Sequence, residues 1–357
     1  MNKLTETKKI AERIINAKAK VVKAGIDQHA RDVVVCLKLD GSQAMRAQKM
    51  TQAALVALLG QLRQKGMKVH SCYEAGPCGF VLHRELAAAG VDNVVVAPQK
   101  LGNGKRQKTD ALDALSLVEL LEARLNGSTK AFTSAYVPTP EQEQARQQGR
   151  LRESLKRDRQ SWEARGRSLM LSQGYHISGA WWQARRWEKL KEELPEWMVE
   201  RLEVMREVLG TLDAKEQEQR KQLEKKAPEK LPKAVGALTW TTLLLEVCDW
   251  NRFKNRGQVG ANTGLCPGIE QSGTKMRQGS INRHGNRRLR TTLIELVWRL
   301  VRWQPGYPPI RALVEGVARG AARRKLAVAA ARRLAVDIWR LATGRSTPEK
   351  LKLVMPD

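Results

Sequence analysis

Residues 21–41 read VVKAGIDQHARDVVVCLKLDG, and their pattern decides the N-terminal fold. VVKAGID is a run of small and β-branched residues. A polar corner at Gln28 to Ala30 interrupts it, and RDVVVCLKLDG resumes a β-branched run that closes at Gly41. Such side chains suit a pleated, half-buried surface, so the stretch predicts a strand, a turn and a second strand folded back as a hairpin. Working outward, a helix is expected near Thr51 to Lys65, a short strand in KVHSCYEAG and a helix around Phe80 to Ala89. A buried strand in NVVVAP and a helix from about Thr109 to Ala123 follow. The order β-β-(β)-α-β-α-β-α predicts an α/β domain on a mixed sheet.

Past Pro138 and Pro140 the composition shifts to long stretches dense in both charge signs, EQEQARQQGRLRESLKRDRQSWEARGRSL and EELPEWMVERLEVMREVLGTLDAKEQEQRKQLEKK. Paired or coiled helices are the expectation. The segment between them, GYHISGAWWQARRW, breaks the helices. Its Trp181, Trp182 and Trp187 fit helix–helix anchors better than base-stacking platforms, since aromatics serve cores more often. KAPEKLPKA marks a linker, and a third unit starts near Leu231 with a helix at Thr239 to Glu246. Gly, Pro and Asn punctuate residues 255–286, which predicts an irregular surface. A basic helix from Asn286 to Trp303 and a last one within EGVARGAARRKLAVAAARRLAVDIWRLA complete the chain. Three domains are expected, at 1–140, 141–230 and 231–357.

The 357 residues carry a formal charge of +27, from 64 Lys and Arg against 37 Asp and Glu. Residues 251–350 hold 21 basic and 5 acidic side chains, so most of the excess lies in the last third. That imbalance repels itself unless a polyanion neutralises it, and nucleic acid is the leading partner. The five cysteines form no CxxC pair and no Cys/His cluster of zinc spacing, which argues against a disulfide framework or structural zinc. The opening MNKLTETKKIAERIINAKAK lacks a secretory apolar core, and no run approaches the roughly 20 apolar residues of a membrane span. A cytoplasmic protein with no membrane partner is expected, nucleoid-associated when active.

Four acids stand where strand ends and a helix face can gather them. Asp27 ends AGID, Glu74 ends the strand in CYEAG, and Asp110 and Asp113 lie three apart in KTDALDAL, on one helix face. Like charges that converge repel, so the group makes sense around divalent cations. Mg²⁺ takes carboxylate oxygens and water, and paired ions stabilise the attacking and leaving oxygens of phosphodiester chemistry. Singly, each acid is more often a solvated group or a cap, and Asp110 beside Thr109 could simply open a helix. Just before it, GNGKRQK offers Lys105, Arg106 and Lys108 to a phosphate backbone.

Residues 264–290, GLCPGIEQSGTKMRQGSINRHGNRRLR, combine glycines, hydroxyls and cations. Lys275, Arg277, Arg283, Arg287, Arg288 and Arg290 suit phosphate oxygens. The helix opening at Gly285-Asn286 could turn its amides toward one, with Asn286 as a further contact. Ser272, read as lying on an exposed loop before Gly273, is the best candidate nucleophile, with Ser280 as competitor. Alone, the block is a phosphate-binding loop, because most loop serines are not nucleophiles.

Together GID, YEAG, KTDALDA and the late block from SG at 272–273 to GNRRLR resemble the DEDD transposases of one large bacterial insertion-sequence family, also described as bridge-RNA-guided recombinases. The resemblance runs over nearly the whole chain in the right order. It implies an RNase H-like (RuvC-like) α/β N-terminal domain, a helical coiled-coil middle and a mainly α C-terminal transposase domain. It also implies Asp27, Glu74, Asp110 and Asp113 as the metal-binding quartet, and Ser272 as the serine that joins covalently to DNA. A guide RNA and a homo-oligomer, dimer or tetramer, with one protomer's carboxylates meeting another's serine, are implied as well. Where members carry a Pro-Gly-Ile-Gly turn, this chain has LPKAVGAL. The expected function is cutting and rejoining of DNA through a serine–DNA intermediate with Mg²⁺. Two rivals stand beside it: a metal-dependent Holliday-junction-type nuclease whose nucleophile is water, and a non-catalytic architectural protein.

Overall fold

In the computed structural model, which describes residues 3–98, 109–272, 275–316 and 318–356, the opening hairpin is present. The backbone divides into two compact units, Met1–Val137 and Pro138–Asp357. The first runs α1 (Lys3–Asn16), β1 (Val21–Gln28), β2 (Asp32–Leu39), β3 (Gln48–Thr51), α2 (Gln52–Gln64), β4 (Lys68–Glu74), α3 (Val81–Ala88), β5 (Asp92–Val96) and α4 (Asp110–Leu125). Its five strands stand in the order β3-β2-β1-β4-β5. Strands β1 and β2 are antiparallel, with Gly25 opposite Cys36 and Asp27 opposite Val34; β3 is antiparallel to β2. Strand β4 lies parallel to β1, with Ile26 beside Tyr73, and β5 lies parallel to β4. The sheet is therefore mixed, as the sequence predicts. The third strand falls just ahead of α2, whose first turn is capped by the Thr51 hydroxyl accepting from Ala54 N at 3.2 Å.

Side chains alternate across a strand, so β1 serves two layers. Val22, Ala24 and Ile26 join Val33, Val35 and Leu37 of β2 in one core with Leu55, Leu58, Leu59 and Leu62 of α2 and Leu82 and Leu86 of α3. On the other face Val34 and Cys36 pack on Ala114 and Val118 of α4, and Cys72 and Val96 pack on Leu117 and Leu121. Gly25 belongs to this second face. A Cβ there would lie 2.3 Å from both Ala114 O and Val118 N, so the helix backbone rests directly on the strand. Lys23 is buried two residues earlier. Its Nζ meets Glu122 Oε1 at 2.8 Å and donates to Asp40 O at 2.6 Å, while Lys38 also pairs with Glu122. Hydrogen bonds from Lys23 and Lys38 hold the Glu122 carboxyl below the usual range.

The second unit opens with α5 (Pro140–Leu171), α6 (Ala184–Leu190) and α7 (Glu196–Glu224). Thr139 and Gln142 form a capping box ahead of α5, with Pro140 at its first position. Helices α5 and α7 pair along their length. Trp181, Trp182 and Trp187 are buried between them with Met170, Met198 and Leu202. Gly166 makes room, since a Cβ there would fall 2.1 Å from Trp181 Cζ2, and Trp181 Nε1 donates to Glu163 O at 3.0 Å. These tryptophans are helix anchors, in agreement with the reading of their sequence context. Deeper along the pair, the buried Glu216 accepts from Arg152 at 2.9 Å and Arg159 at 3.0 Å.

The unit continues with α8 (Ala237–Val247), α9 (Arg256–Thr263), β6 (Pro267–Ser272), β7 (Lys275–Ile281), α10 (Arg287–Trp303), α11 (Arg311–Val314) and α12 (Gly320–Ala342). Trp240, Leu243 and Val247, with Val259 of α9, share a core with Leu289, Leu293, Leu296 and Leu300 of α10 and Leu334 and Ile338 of α12. Composition predicts an irregular surface over residues 255–286, and the structure differs. Residues 255–286 are not irregular but hold a helix and an antiparallel hairpin. The Gly, Pro and Asn residues that suggested irregularity sit at its junctions: Asn255 caps α9, Gly264 ends it at φ +64°, and the hairpin register shifts between Pro267 and Ile269.

Replacing Gly25 by Ala is expected to destabilise the first unit by about 1–3 kcal/mol, because α4 must lift off β1 to admit the methyl group. Denaturant unfolding of G25A against wild type measures it, and an unchanged midpoint would show that the helix does not need this contact.

Candidate functional site

The C-terminal end of β1 carries Asp27, and one residue past the last paired position of the neighbouring parallel strand, β4 carries Glu74. Over the same edge, α4 begins. The Thr109 hydroxyl accepts from Leu112 N at 3.3 Å, so Thr109 is the cap and Asp110 and Asp113 fall in the first turn, where the helix dipole favours acids. The close contact at Gly25 brings that turn to the strand end. Asp27, His29 and Asp110 there each offer a ligand atom, all within 4.8 Å of one another. His29 Nε2 lies 3.1 Å from Asp27 Oδ2 and 3.2 Å from Asp110 Oδ2. Glu74, exposed, and Asp113 stand outside this trio, although the Asp113 charge still acts on Asp27.

Burial is the largest influence on Asp27 and raises its carboxyl above the ordinary range; Asp110 and Asp113 push the same way, and His29 only partly opposes them. Two carboxylate oxygens and an imidazole nitrogen, open to solvent on one side, fit a divalent cation as a donor set. His29 was not among the residues singled out from sequence. Its signal is the spacing in Asp-Gln-His, which carries the imidazole across the polar corner to the same edge. Lys105, Arg106 and Lys108 lie outside the described residues.

In the second unit, Ser272 is the last residue of β6, opposite Lys275, and Glu270 stands opposite Arg277. The serine thus ends a paired strand rather than sitting in an open loop. Ser280 lies within β7, exposed. At the hairpin base the chain folds on itself tightly. A Cβ on Gly285 would fall 2.3 Å from Asn262 O and from Gly264 N, and Asn286 N donates to Asn262 O at 3.1 Å.

Asn286 caps α10, its Oδ1 accepting from Arg288 N at 2.9 Å and Leu289 N at 3.2 Å. Those two amides are therefore taken by a side chain rather than turned toward a phosphate. Its Nδ2 donates to Glu246 Oε2 at 2.7 Å. Glu246, buried, also receives Arg150 in a fork at 3.2 and 3.1 Å, with Arg288 3.7 Å away and itself paired to Glu153 at 3.2 Å. Arg290 donates to Thr263 O and Gly285 O at 3.1 and 3.3 Å. Among the cations expected to touch phosphate, Arg288 and Arg290 thus brace the block, whereas Arg283 and Arg287 are exposed.

Burial by itself would lift the Glu246 carboxyl, but hydrogen bonds from Arg150 and Asn286 and the charges of Arg150 and Arg288 overcome it and hold it below the usual range. Linkage then gives opposite signs for two acids. Glu246 contributes stability present at neutral pH and lost as pH falls through its depressed value. Asp27, with its raised value, costs stability at neutral pH, and the cost vanishes as pH falls through the ordinary carboxylate range. E246Q is expected to lose about 3 kcal/mol, the low end for a broken buried pair because Arg150 and Arg288 keep some access to water. D27N is expected to raise the thermal midpoint in metal-free buffer. Calorimetry of both variants checks the pair of signs, and a midpoint that falls in D27N would contradict the second.

Residues 232–312, which contain the serine hairpin and all of α10, match the model of the IS116/IS110/IS902 transposase family. The chain is 32% identical over 297 residues to the Sinorhizobium fredii protein y4rJ, named as a transposase, covering 71% of this chain and 72% of that one. A second Sinorhizobium fredii protein of that kind, y4qE, is 28% identical over 251 residues, 70% of this chain and 63% of its own. The transposase for insertion sequence element IS1533 of Leptospira borgpetersenii is 30% identical over 142 residues, 38% of this chain and 40% of its own. Among the described residues no helix is long and apolar enough to cross a membrane.

Proposed function

Given that the chain belongs to the IS116/IS110/IS902 transposase family, we propose that it cuts and rejoins DNA through a covalent serine intermediate assisted by a carboxylate-held divalent ion. The convergence of Asp27 and Asp110 at the open end of β1 is the observation that supports this best. The strand order 3-2-1-4-5, with acids at the ends of β1 and β4 and on the helix across them, supports an RNase H-like reading of the first unit. Glu74 and Asp113 complete a quartet in this reading, and Mg²⁺ is the ion assigned to it. Residues 1–140, 141–230 and 231–357 serve as catalytic, helical-linker and serine-bearing parts.

The Ser272 hydroxyl oxygen attacks the scissile phosphorus and forms a P–O bond; the bond to the leaving sugar oxygen breaks, and the hydroxyl proton passes to solvent or to that oxygen. The products are a phosphoserine link and a free sugar hydroxyl, and the reverse step rejoins the strands. A bound divalent ion supplies neutralisation of the charge that builds on the phosphate oxygens. Lys275 and Arg277, on the strand facing Ser272, with the exposed Arg283 and Arg287, hold the DNA backbone. Asn286, Arg288 and Arg290 keep the block in shape for that contact. The net charge of +27 supports a nucleic-acid partner of some length, and a structured guide RNA and a homo-oligomer are part of the proposal.

Incubation with labelled element-end DNA, the RNA transcribed from the element's flank and a divalent ion tests it. Wild type is expected to give protein-linked DNA, S272A none, and S280A wild-type levels, with D27N at least about a hundredfold slower. Cleaved DNA without any adduct in wild type would instead identify a hydrolase using water. DNA binding indifferent to metal and to D27N, with no cleavage, would identify an architectural protein.

A further inference from the structure

We propose that His29 is itself a ligand of the divalent ion at the end of β1, so that the site takes Mn²⁺ in preference to Mg²⁺. This rests on the metal-dependent reading above, adds to it a residue outside the acidic quartet, and replaces Mg²⁺ with Mn²⁺ as the ion the site favours. His29 Nε2 is 3.1 Å from Asp27 Oδ2 and 3.2 Å from Asp110 Oδ2. Neighbouring ligands of a six-coordinate ion with bonds of about 2.1 Å subtend a right angle, which separates them by about 3.0 Å. Two of the trio's separations therefore match the spacing that neighbouring ligands of such an ion would need.

Hydrogen bonding alone accounts for the arrangement less well. Nε2 carries at most one N–H, which can make a straight bond to only one of the two carboxylate oxygens, so the second close approach gains little from hydrogen bonding. The backbone that carries the imidazole is held in place, since His29 N donates to Asp32 O at 3.0 Å and closes the turn between β1 and β2. Its side chain is 46% exposed, so an ion can reach it without opening the fold. Two oxygens and an imidazole nitrogen also discriminate between ions. Mg²⁺ selects oxygen and keeps its waters, whereas imidazole suits first-row transition ions.

The test uses metal-free full-length protein titrated with Mn²⁺, read by electron paramagnetic resonance for binding and by pulsed measurements for coupling to a ¹⁴N nucleus. Wild type is expected to bind Mn²⁺ with a ¹⁴N coupling. H29A is expected to lose that coupling and roughly tenfold in Mn²⁺ affinity while Mg²⁺ affinity, from competition, changes less. Circular dichroism and thermal unfolding confirm that each variant is folded. Binding without ¹⁴N coupling, or H29A that binds Mn²⁺ as tightly as wild type or more tightly, overturns the role of His29. If D27N abolishes Mn²⁺ binding in that case, the carboxylate site itself survives. Wild type that binds no Mn²⁺ at all overturns both.

Discussion

The contact of α4 with β1 at Gly25 is the constraint from which the N-terminal unit takes its chemical character. Because the strand presents only a hydrogen there, the helix backbone at Ala114 and Val118 comes to within a distance that any side chain would forbid. Thr109 starts the helix at a defined residue, so Asp110 overhangs the strand end rather than the middle of the sheet. The parallel pairing of β1 with β4 puts Asp27 and Glu74 on that same edge. The buried Lys23 and the half-buried Glu122 farther along the same interface form a charge pair, so the packing there does not strand the lysine without a partner.

The second unit rests on a different device. Its serine hairpin is joined at its base, where Ile281 packs against the core and Asn282 N donates to Cys266 O at 2.9 Å. Gly264 and Gly285 let two backbone segments touch, and Asn286 joins the start of α10 to Glu246 on α8. Arg150 of α5 completes the link, so a buried carboxylate, together with the Arg288–Glu153 pair, ties the long helical pair to the hairpin-bearing part. Removing one partner from such a group costs far more than a surface ion pair is worth. Glu246 is surrounded by donors that favour its charge, whereas Asp27 is half-buried beside other acids that oppose it. Unfavourable charge held at an open strand end marks a place shaped for something other than stability.

Much of this was legible in the residues alone. Strand and helix periods located β1, β2, β4, β5 and α4, and the Pro138–Pro140 composition break agrees with the boundary between the units. The four acids could be named because they close strands or share a helix face, positions that follow from period two and period 3.6. The hairpin at 267–281 could not be read, because its strands, PGIEQS and KMRQGSI, hold one Ile each among Pro, Gly, Ser, Met, amide and charged residues, too little β signal to stand out from loop composition.

Local sequence by itself determined which stretches become strands and helices, where Thr51, Thr109 and Thr139 start helices, and that the chain seeks a polyanion. These depend on side chains within a turn or two of one another and on summed charge. Tertiary structure alone decided that His29 joins Asp27 and Asp110, that Glu74 and Asp113 stand outside that trio, and that Asn286, Arg288 and Arg290 hold Glu246 and backbone carbonyls. Those outcomes depend on how far apart elements distant in sequence come to rest, and that distance is set by packing, as at Gly25, rather than by any residue's own preference.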